Sequence, residues 1–243
     1  MSRYSDDTIS TMEVTVYQPG TLEYRQAVDL QGRLAAQVAE GSHPPALLLL
    51  EHPHVYTLGR QSDPDELLWD GKILSQRGIQ VQESDRGGRI TYHGPGQLIG
   101  YPILPLGKTG TLAYLRKLEE TLIQSLAGFG IPGIRVPGQT GVWVQDRNSA
   151  APPAKIASIG VRVDANRITR HGFALNVAPQ MDFWEGIIAC GLENQRQTSM
   201  ADLLSEPSEI SVVSQHVLKA FSSVFEARLR IGEKPSFENP PMV

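Results

Sequence analysis

Residues Arg86–Leu104 read RGGRITYHGPGQLIGYPIL, and no other segment constrains the chain so strongly. Its Ile, Thr and Tyr content favours extended backbone. Yet five glycines (Gly87, Gly88, Gly94, Gly96 and Gly100) fall within it, together with Pro95. Glycine costs a strand backbone entropy and gives it nothing to pack. Either tight turns join short strands here, or something approaches the backbone so closely that side chains are excluded. Turns alone do not need Arg86, Arg89 and His93. In strand geometry Arg89, Thr91 and His93 share one face and can converge on a bound group. The spacing fits neither GxGxxG nor GxxxxGK[ST], so a phosphate cradle of those kinds is not supported.

The flanking sequence predicts mixed structure. MEVTVYQ from Met12 alternates as a strand does, and PALLLLEH and VYTLG are apolar enough for buried strands. GVWVQ, KIASIGVRVD and ITRHGFALNV predict further strands, the last two joined by a hairpin turn at Asp164–Arg167. A helix is expected before Gly41, with Leu22, Val28, Leu34, Ala35 and Val38 on one face. A second carries Leu112, Leu115, Leu118, Leu122, Ile123 and Leu126 as its stripe and ends at Gly128 or Gly130. A short helix capped by Ser199 is expected over MADLL. A last one runs from Ser208 or Ser211 to Leu229, with Val213, Val217, Val224 and Phe225 inward.

Strands and helices mix without regular βαβ alternation. That predicts an α+β fold: a single domain over 12–232, with a central mixed, partly antiparallel β-sheet flanked by helices. DRNSAAPPA from Asp146 reads as an exposed loop, and 1–11 and 233–243 as flexible tails. With 243 residues, 40% hydrophobic and 20% charged, the chain can bury a sizeable core. A net charge of −4 weighs against a general nucleic-acid binder. One cysteine precludes an intramolecular disulfide and favours a reducing compartment. The polar, acidic N-terminus is unlike a signal peptide, and ALLLL is too short to span a bilayer. A soluble, cytoplasmic protein with no nucleic-acid or membrane partner is expected.

Chemistry has few candidate carriers. Cys190, in EGIIACGLENQ, is either a small buried hydrophobe or a nucleophile; the latter needs its pKa lowered from about 8.5 by a nearby base or cation. His93, His171 and the six lysines are the candidate partners. Lys155 opens an otherwise apolar strand, and is either an edge guard against aggregation or such a partner. His52 and His54 can share a strand face and bind metal, but no third ligand is identified. His171-Gly172 enters HGFALNV as His93-Gly94 enters HGPGQ, and both glycines are placed to let substrate lie against backbone.

Taken in order, EHPHVYTLGR, RGGRITYHGPGQLIGYPI, KIASIGVRV and HGFALNV followed by CGL resemble the lipoyl(octanoyl) transferase family over residues 13–230. The resemblance implies a single α+β catalytic domain like that of biotin and lipoate ligases, and a cysteine–lysine dyad of Cys190 as nucleophile and Lys155 as its partner. It also implies substrate-binding residues at Arg86, Gly87, Gly88, Arg89, Ile90, Thr91, Tyr92 and His93, at Ser158, Ile159 and Gly160, and at Gly172, Phe173 and Ala174. The family's cysteine usually follows proline, whereas Ala189 precedes it here, and the spacer before Lys155 is longer and richer in proline.

The reaction implied moves an octanoyl group from acyl carrier protein to a lysine of lipoyl domains, those of 2-oxoacid dehydrogenase E2 subunits and of glycine cleavage H protein. No cofactor and no metal are expected. Thioester exchange onto Cys190 is nearly isoenergetic, and amide formation is downhill, so ATP is not needed. Amides near Gly87, Gly88 or Cys190 are candidates for an oxyanion hole. An acyl tunnel gains on the order of 0.8 kcal/mol per buried methylene. Its walls are expected from Gly87, Gly88, Gly94 and Gly172, with Arg86 and Arg89 at the mouth attracting an acidic carrier. The rivals are an ATP-dependent lipoate or biotin ligase, which needs no cysteine, and a non-catalytic domain of the same fold.

Overall fold

The computed structural model describes residues 11–145, 151–189, 195–206 and 208–233. Its elements are β1 (Met12–Thr21), α1 (Tyr24–Glu40), β2 (Ala46–Glu51), β3 (Val55–Leu58), α2 (Gly71–Gln76), β4 (Gln80–Glu83), β5 (Thr91–His93) and β6 (Gln97–Ile103). There follow α3 (Thr111–Ala127), β7 (Gly133–Ile134), β8 (Val142–Val144), β9 (Ala154–Val163), β10 (Thr169–Asn176), α4 (Ile210–Phe225) and β11 (Ala227–Ile231). One sheet has the order β11-β1-β2-β6-β10-β9-β8-β7, and a second the order β4-β3-β5. β1 runs parallel to β2 and β11, whereas the β2–β6–β10–β9–β8 run is antiparallel, so the sheet is mixed.

The run of leucines in β2 explains the layering. Successive strand residues face opposite sides. Leu47 and Leu49 join the core beneath α3 and α4, with Leu118, Leu122, Val217 and Phe221. Leu48 and Leu50 join the core beneath α1, with Ala27, Leu30 and Leu34. A strand covered on both faces needs apolar residues at every position, and that is what the sequence supplies. A third cluster, built on Tyr56, Ile90, Tyr92, Phe183 and Trp184, packs the smaller sheet.

Helix ends follow the expected chemistry in part. Gly41 stops α1 in the left-handed region (φ 72°). Gly128 ends α3, but Leu112 is exposed and Tyr114 takes its place in the core. Leu22 lies before α1, and Ala27, Leu30 and Gln31 fill the face where Val28 and Val38 are only partly buried. The residues directly after Ser199 form turns and not a helix. Its hydroxyl and the Asp202 carboxylate bond each other across a turn, and Leu203 and Leu204 both donate to Met200 O. Pro207 follows closely and disfavours helical backbone at the residue before it. α4 ends at Phe225 rather than Leu229, because Glu226 turns left-handed (φ 53°) and Ala227–Ile231 joins β1 as an edge strand. Among the described residues no helix is long and apolar enough to cross a membrane.

Candidate active site

The β9–β10 hairpin is the floor of the site. Arg170↔Arg162, Gly172↔Gly160 and Ala174↔Ser158 are paired across it, and Asp164 N–H donates to Ile168 O to close the turn. Over this floor lies the loop Arg86–Arg89. Arg60 and Gln61 donate their N–H groups to the carbonyls of Arg86 and Gly88, and Gly87 N–H donates to Val161 O of β9. Gly88 takes a left-handed φ of 87°, and Gly59 must be glycine because a Cβ there would lie 2.3 Å from Gly88 O. Between loop and hairpin is a cavity of about 460 Å³, a size suited to a small ligand.

The cavity brings together nearly every residue that the sequence nominates. Arg86, Gly87, Gly88, Arg89, Ile90, Thr91 and His93 line it from above; Ser158, Ile159, Gly160, Gly172, Phe173 and Ala174 line it from below, with Lys155. Tyr92 is the exception. Strand alternation turns it to the opposite face, where its ring stacks on Phe183 at 5.3 Å and its hydroxyl bonds His54 at 2.9 Å. Cys190 lies outside the described residues, as do 146–150 of the proline-rich spacer. Tyr24, Gln61, Tyr101, Gly138, Gln139, Thr140, His171 and Gln195 complete the lining. Of these, His171 and Tyr101 stand in segments that the sequence singles out; the others are loop and helix-start residues, which show no periodicity that points to a cavity.

Arg86 is not at the mouth. Its guanidinium is buried, donating to Thr57 O at 2.7 Å, to Thr57 Oγ1 at 2.8 Å and to Gly87 O at 3.1 Å. It braces β3 against the loop. Arg89 is partly exposed and bonds Glu66 Oε1 at 2.5 Å. The glycines divide by purpose. Gly87 packs directly on Gly160, where a Cβ would lie 3.1 Å from Gly87 O. Gly172 is required by packing, since its Cβ would sit 2.1 Å from Gly100 O, and Gly100 makes room for the Phe173 ring. Gly94 and Gly96 press against Tyr92 and Ala178 at the β5–β6 turn, away from the cavity. The Gly87 amide, already donating, is no oxyanion donor; Gly88 N–H has no partner among the described residues.

Lys155 is 4% exposed, although it stands on a strand near the edge of the sheet. β8 places Trp143 beside it, with Nζ 4.9 Å from the ring centroid. On the other edge, Lys155 N–H donates to Arg196 O and Thr198 N–H donates to Lys155 O. Gly141 leaves the stem its path, since a Cβ there would lie 2.8 Å from Lys155 Cε.

The buried histidines are held neutral. Burial lowers the pKa of His93 well below the ordinary value and that of His52 to about 4. His52 donates through Nδ1–H to Leu22 O and accepts at Nε2 from Tyr101, while His54 stacks on Phe183 at 4.1 Å. Both are packing residues, and they do not converge on a common point. His171 Nε2–H donates to Asp85, which also binds Arg162 and Arg170. The His171 hydrogen bond, outweighing partial burial, holds the Asp85 carboxyl well below its usual range; burial lowers His171 despite that partner. The pair is therefore a neutral imidazole donating to a carboxylate.

The family profile described as the lipoyl protein ligase A/B catalytic domain matches residues 23–222. An octanoyltransferase of Chloroflexus aurantiacus is 42% identical over 220 residues, covering 90% of this chain and 96% of that protein. Among solved structures, the bi-partite lipoate protein ligase and its E2 lipoyl domain from Thermoplasma acidophilum matches with TM-score 0.71 at 16% identity, covering 93% and 89% of the two chains. Lipoate-protein ligase A bound with ATP matches with TM-score 0.67 at 15% identity, covering 93% and 90%. These structural likenesses speak to the fold.

Proposed function

The chain belongs to the lipoyl protein ligase A/B catalytic-domain family and to its octanoyltransferases, and from that premise we propose that it carries an octanoyl group from acyl carrier protein to lipoyl-domain lysines through a thioester on Cys190. It is an acyltransferase of protein lipoylation. Residues 12–232 form the catalytic domain, and the single cysteine supports work in the reducing cytoplasm. The acceptors are the lipoyl domains of 2-oxoacid dehydrogenase E2 subunits and of glycine cleavage H protein.

The observation that carries the reading is Lys155, buried in the wall of a cavity whose other walls are Arg86–Thr91, Ser158–Gly160 and Gly172–Ala174. In the first step the Cys190 thiolate attacks the thioester carbonyl of the donor. The new C–S bond forms as the bond to the pantetheine sulfur breaks, and the departing thiolate takes up a proton. In the second step the acceptor lysine nitrogen attacks the acyl-enzyme carbonyl, the bond to Cys190 breaks, and an amide remains. As an ammonium, Lys155 stabilises the thiolate; as a neutral amine, it accepts the proton shed by the incoming nitrogen. Gly88 N–H is the described amide best suited to the oxyanion. The acyl chain lies in this cavity, along the β9–β10 floor.

Intact-protein mass spectrometry after mixing with octanoyl carrier protein, without nucleotide, tests this. Wild type should gain one octanoyl group and Cys190→Ala none. An adduct that persists in the mutant removes Cys190 from the mechanism. Octanoylation of a lipoyl domain from free acid and ATP alone would make the protein a ligase.

A further inference from the structure

β10 pairs with β9 only as far as Leu175↔Ala157; beyond that point the strands part. The edge of β9 that carries Lys155 is taken over by Arg196–Thr198, held there by the two backbone bonds at Lys155 and a parallel bridge to Gln197. Asn176 stands at the place where one neighbour leaves and the other arrives. Its Nδ2–H donates to Thr198 O at 2.9 Å, its Oδ1 accepts from Gln97 Nε2 at 3.0 Å, and its backbone oxygen accepts from Met200 N–H at 2.9 Å. Gln97 in turn donates to Tyr92 O and faces His93 Nδ1 at 3.2 Å.

The directions of these bonds are fixed. Carbonyl oxygens accept only, so Asn176 must turn Nδ2 to Thr198 and Oδ1 to Gln97. Gln97 must then give Nε2 to Asn176 and Tyr92, leaving its oxygen for His93 Nδ1–H. Asn176 and Gln97 are almost wholly buried, so a reversed group would have no water to fall back on. One chain of bonds thus joins the cavity wall at His93 to the backbone that flanks Lys155.

We propose that Asn176 is a positioning residue for the acyl transfer: its side-chain N–H holds the Arg196–Thr198 segment against β9 and so fixes Lys155 in register with the chain that follows Cys190. The inference rests on the reading of Lys155 and Cys190 given above. Misplacing a reacting group by about 1 Å can cost on the order of 10²-fold in rate.

Asn176→Asp tests it, because the carboxylate keeps the size and the bond from Gln97 but has no hydrogen to give Thr198. Single-turnover octanoylation from octanoyl carrier protein should slow by roughly tenfold to 10²-fold at saturating donor, with the half-saturating donor concentration moved less than about twofold, since the carrier's contacts are untouched. Lowering the pH should recover part of the loss relative to wild type, because a protonated carboxyl again donates to Thr198 O. Val217→Ala, in α4 beneath the sheet, provides a destabilised control whose saturating rate should stay near wild type. If Asn176→Asp acylates at the wild-type rate, or loses only donor affinity, Asn176 is a packing residue and the inference fails. If wild type itself forms no adduct, it is the thioester reading that fails.

Discussion

His171 Nε2 lies 2.6 Å from Asp85 Oδ1, which makes a cavity-wall imidazole and a half-buried carboxylate one unit. His171 reaches this position with a left-handed φ of 57°, and its own N–H donates to Gln31 Oε1 at 2.6 Å. Asp85 gathers Arg162 and Arg170 from both strands of the hairpin at the same time.

Asp85 has a folded-state pKa below its unfolded value, chiefly through the His171 bond. A depressed carboxylate adds stability above the unfolded pKa of about 4 and loses it as pH falls through the folded value. Asp85→Asn should therefore be less stable than wild type at pH 7, with the gap closing below about pH 4. Urea midpoints across that range measure it, and a gap that persists at low pH would refute it.

The buried histidines act at higher pH. His52 titrates near 4 when folded and near 6.5 when unfolded, so stability is present above about pH 6.5 and drains away toward pH 4. The shift corresponds to on the order of 3 kcal/mol over that window. His93 and His171 push in the same direction. His52→Gln, which can still donate to Leu22 O, should flatten the dependence of the urea midpoint on pH between 4 and 6.5 without abolishing it.

Arg86→Lys keeps the charge and loses the fork. Lysine cannot serve Thr57 O, Thr57 Oγ1 and Gly87 O together. A loss of about 1–3 kcal/mol is expected from denaturant unfolding, with weaker acyl retention in the cavity. Because Arg86 is buried, its replacement should leave the salt dependence of transfer unchanged; charge reversal at the partly exposed Arg89 is where a steering effect would be seen.

Gly172→Ala drives a methyl group into the Gly100 carbonyl of the neighbouring strand. Relief requires backbone movement, and a loss of about 1–3 kcal/mol or more is expected in urea unfolding. Stability equal to wild type would mean that β6 and β10 part more easily than their register suggests.

Lys155→Met preserves the apolar stem against Trp143 and removes the amine. Acyl-enzyme formation should slow by about 10²–10⁴-fold at neutral pH. Quenched time points in mass spectrometry give the rate directly.

The sequence was most informative where periodicity is strong. β2 and the β9–β10 hairpin are legible because alternation and turn residues agree there. The pattern extends α4 to Leu229 because Val224, Phe225 and Leu229 keep an apolar rhythm through Glu226, whose left-handed backbone leaves no trace in composition. Spacing alone points Leu112 inward, whereas Tyr114, two residues on, faces the core and Leu112 is exposed. The smaller sheet has little signal in the sequence because β4, Gln80–Glu83, is largely polar. At the site, residue identities are legible, and so is the alternation that sets Thr91 and His93 on the cavity face; the inward turn of Arg86 is not, since only Thr91–His93 form strand and the loop ahead of them follows no alternation.

The parallel pairing of β1 with β11 places Met12 beside Ala227 and Val16 beside Ile231. Both described ends of the chain therefore leave from the same outer strands of the larger sheet. From β11 to β10 is four strand steps, about 19 Å, with the covered β2 and β6 between. A surface anchor, a dye or a fused partner can be attached beyond either of these strands while the cavity stays open.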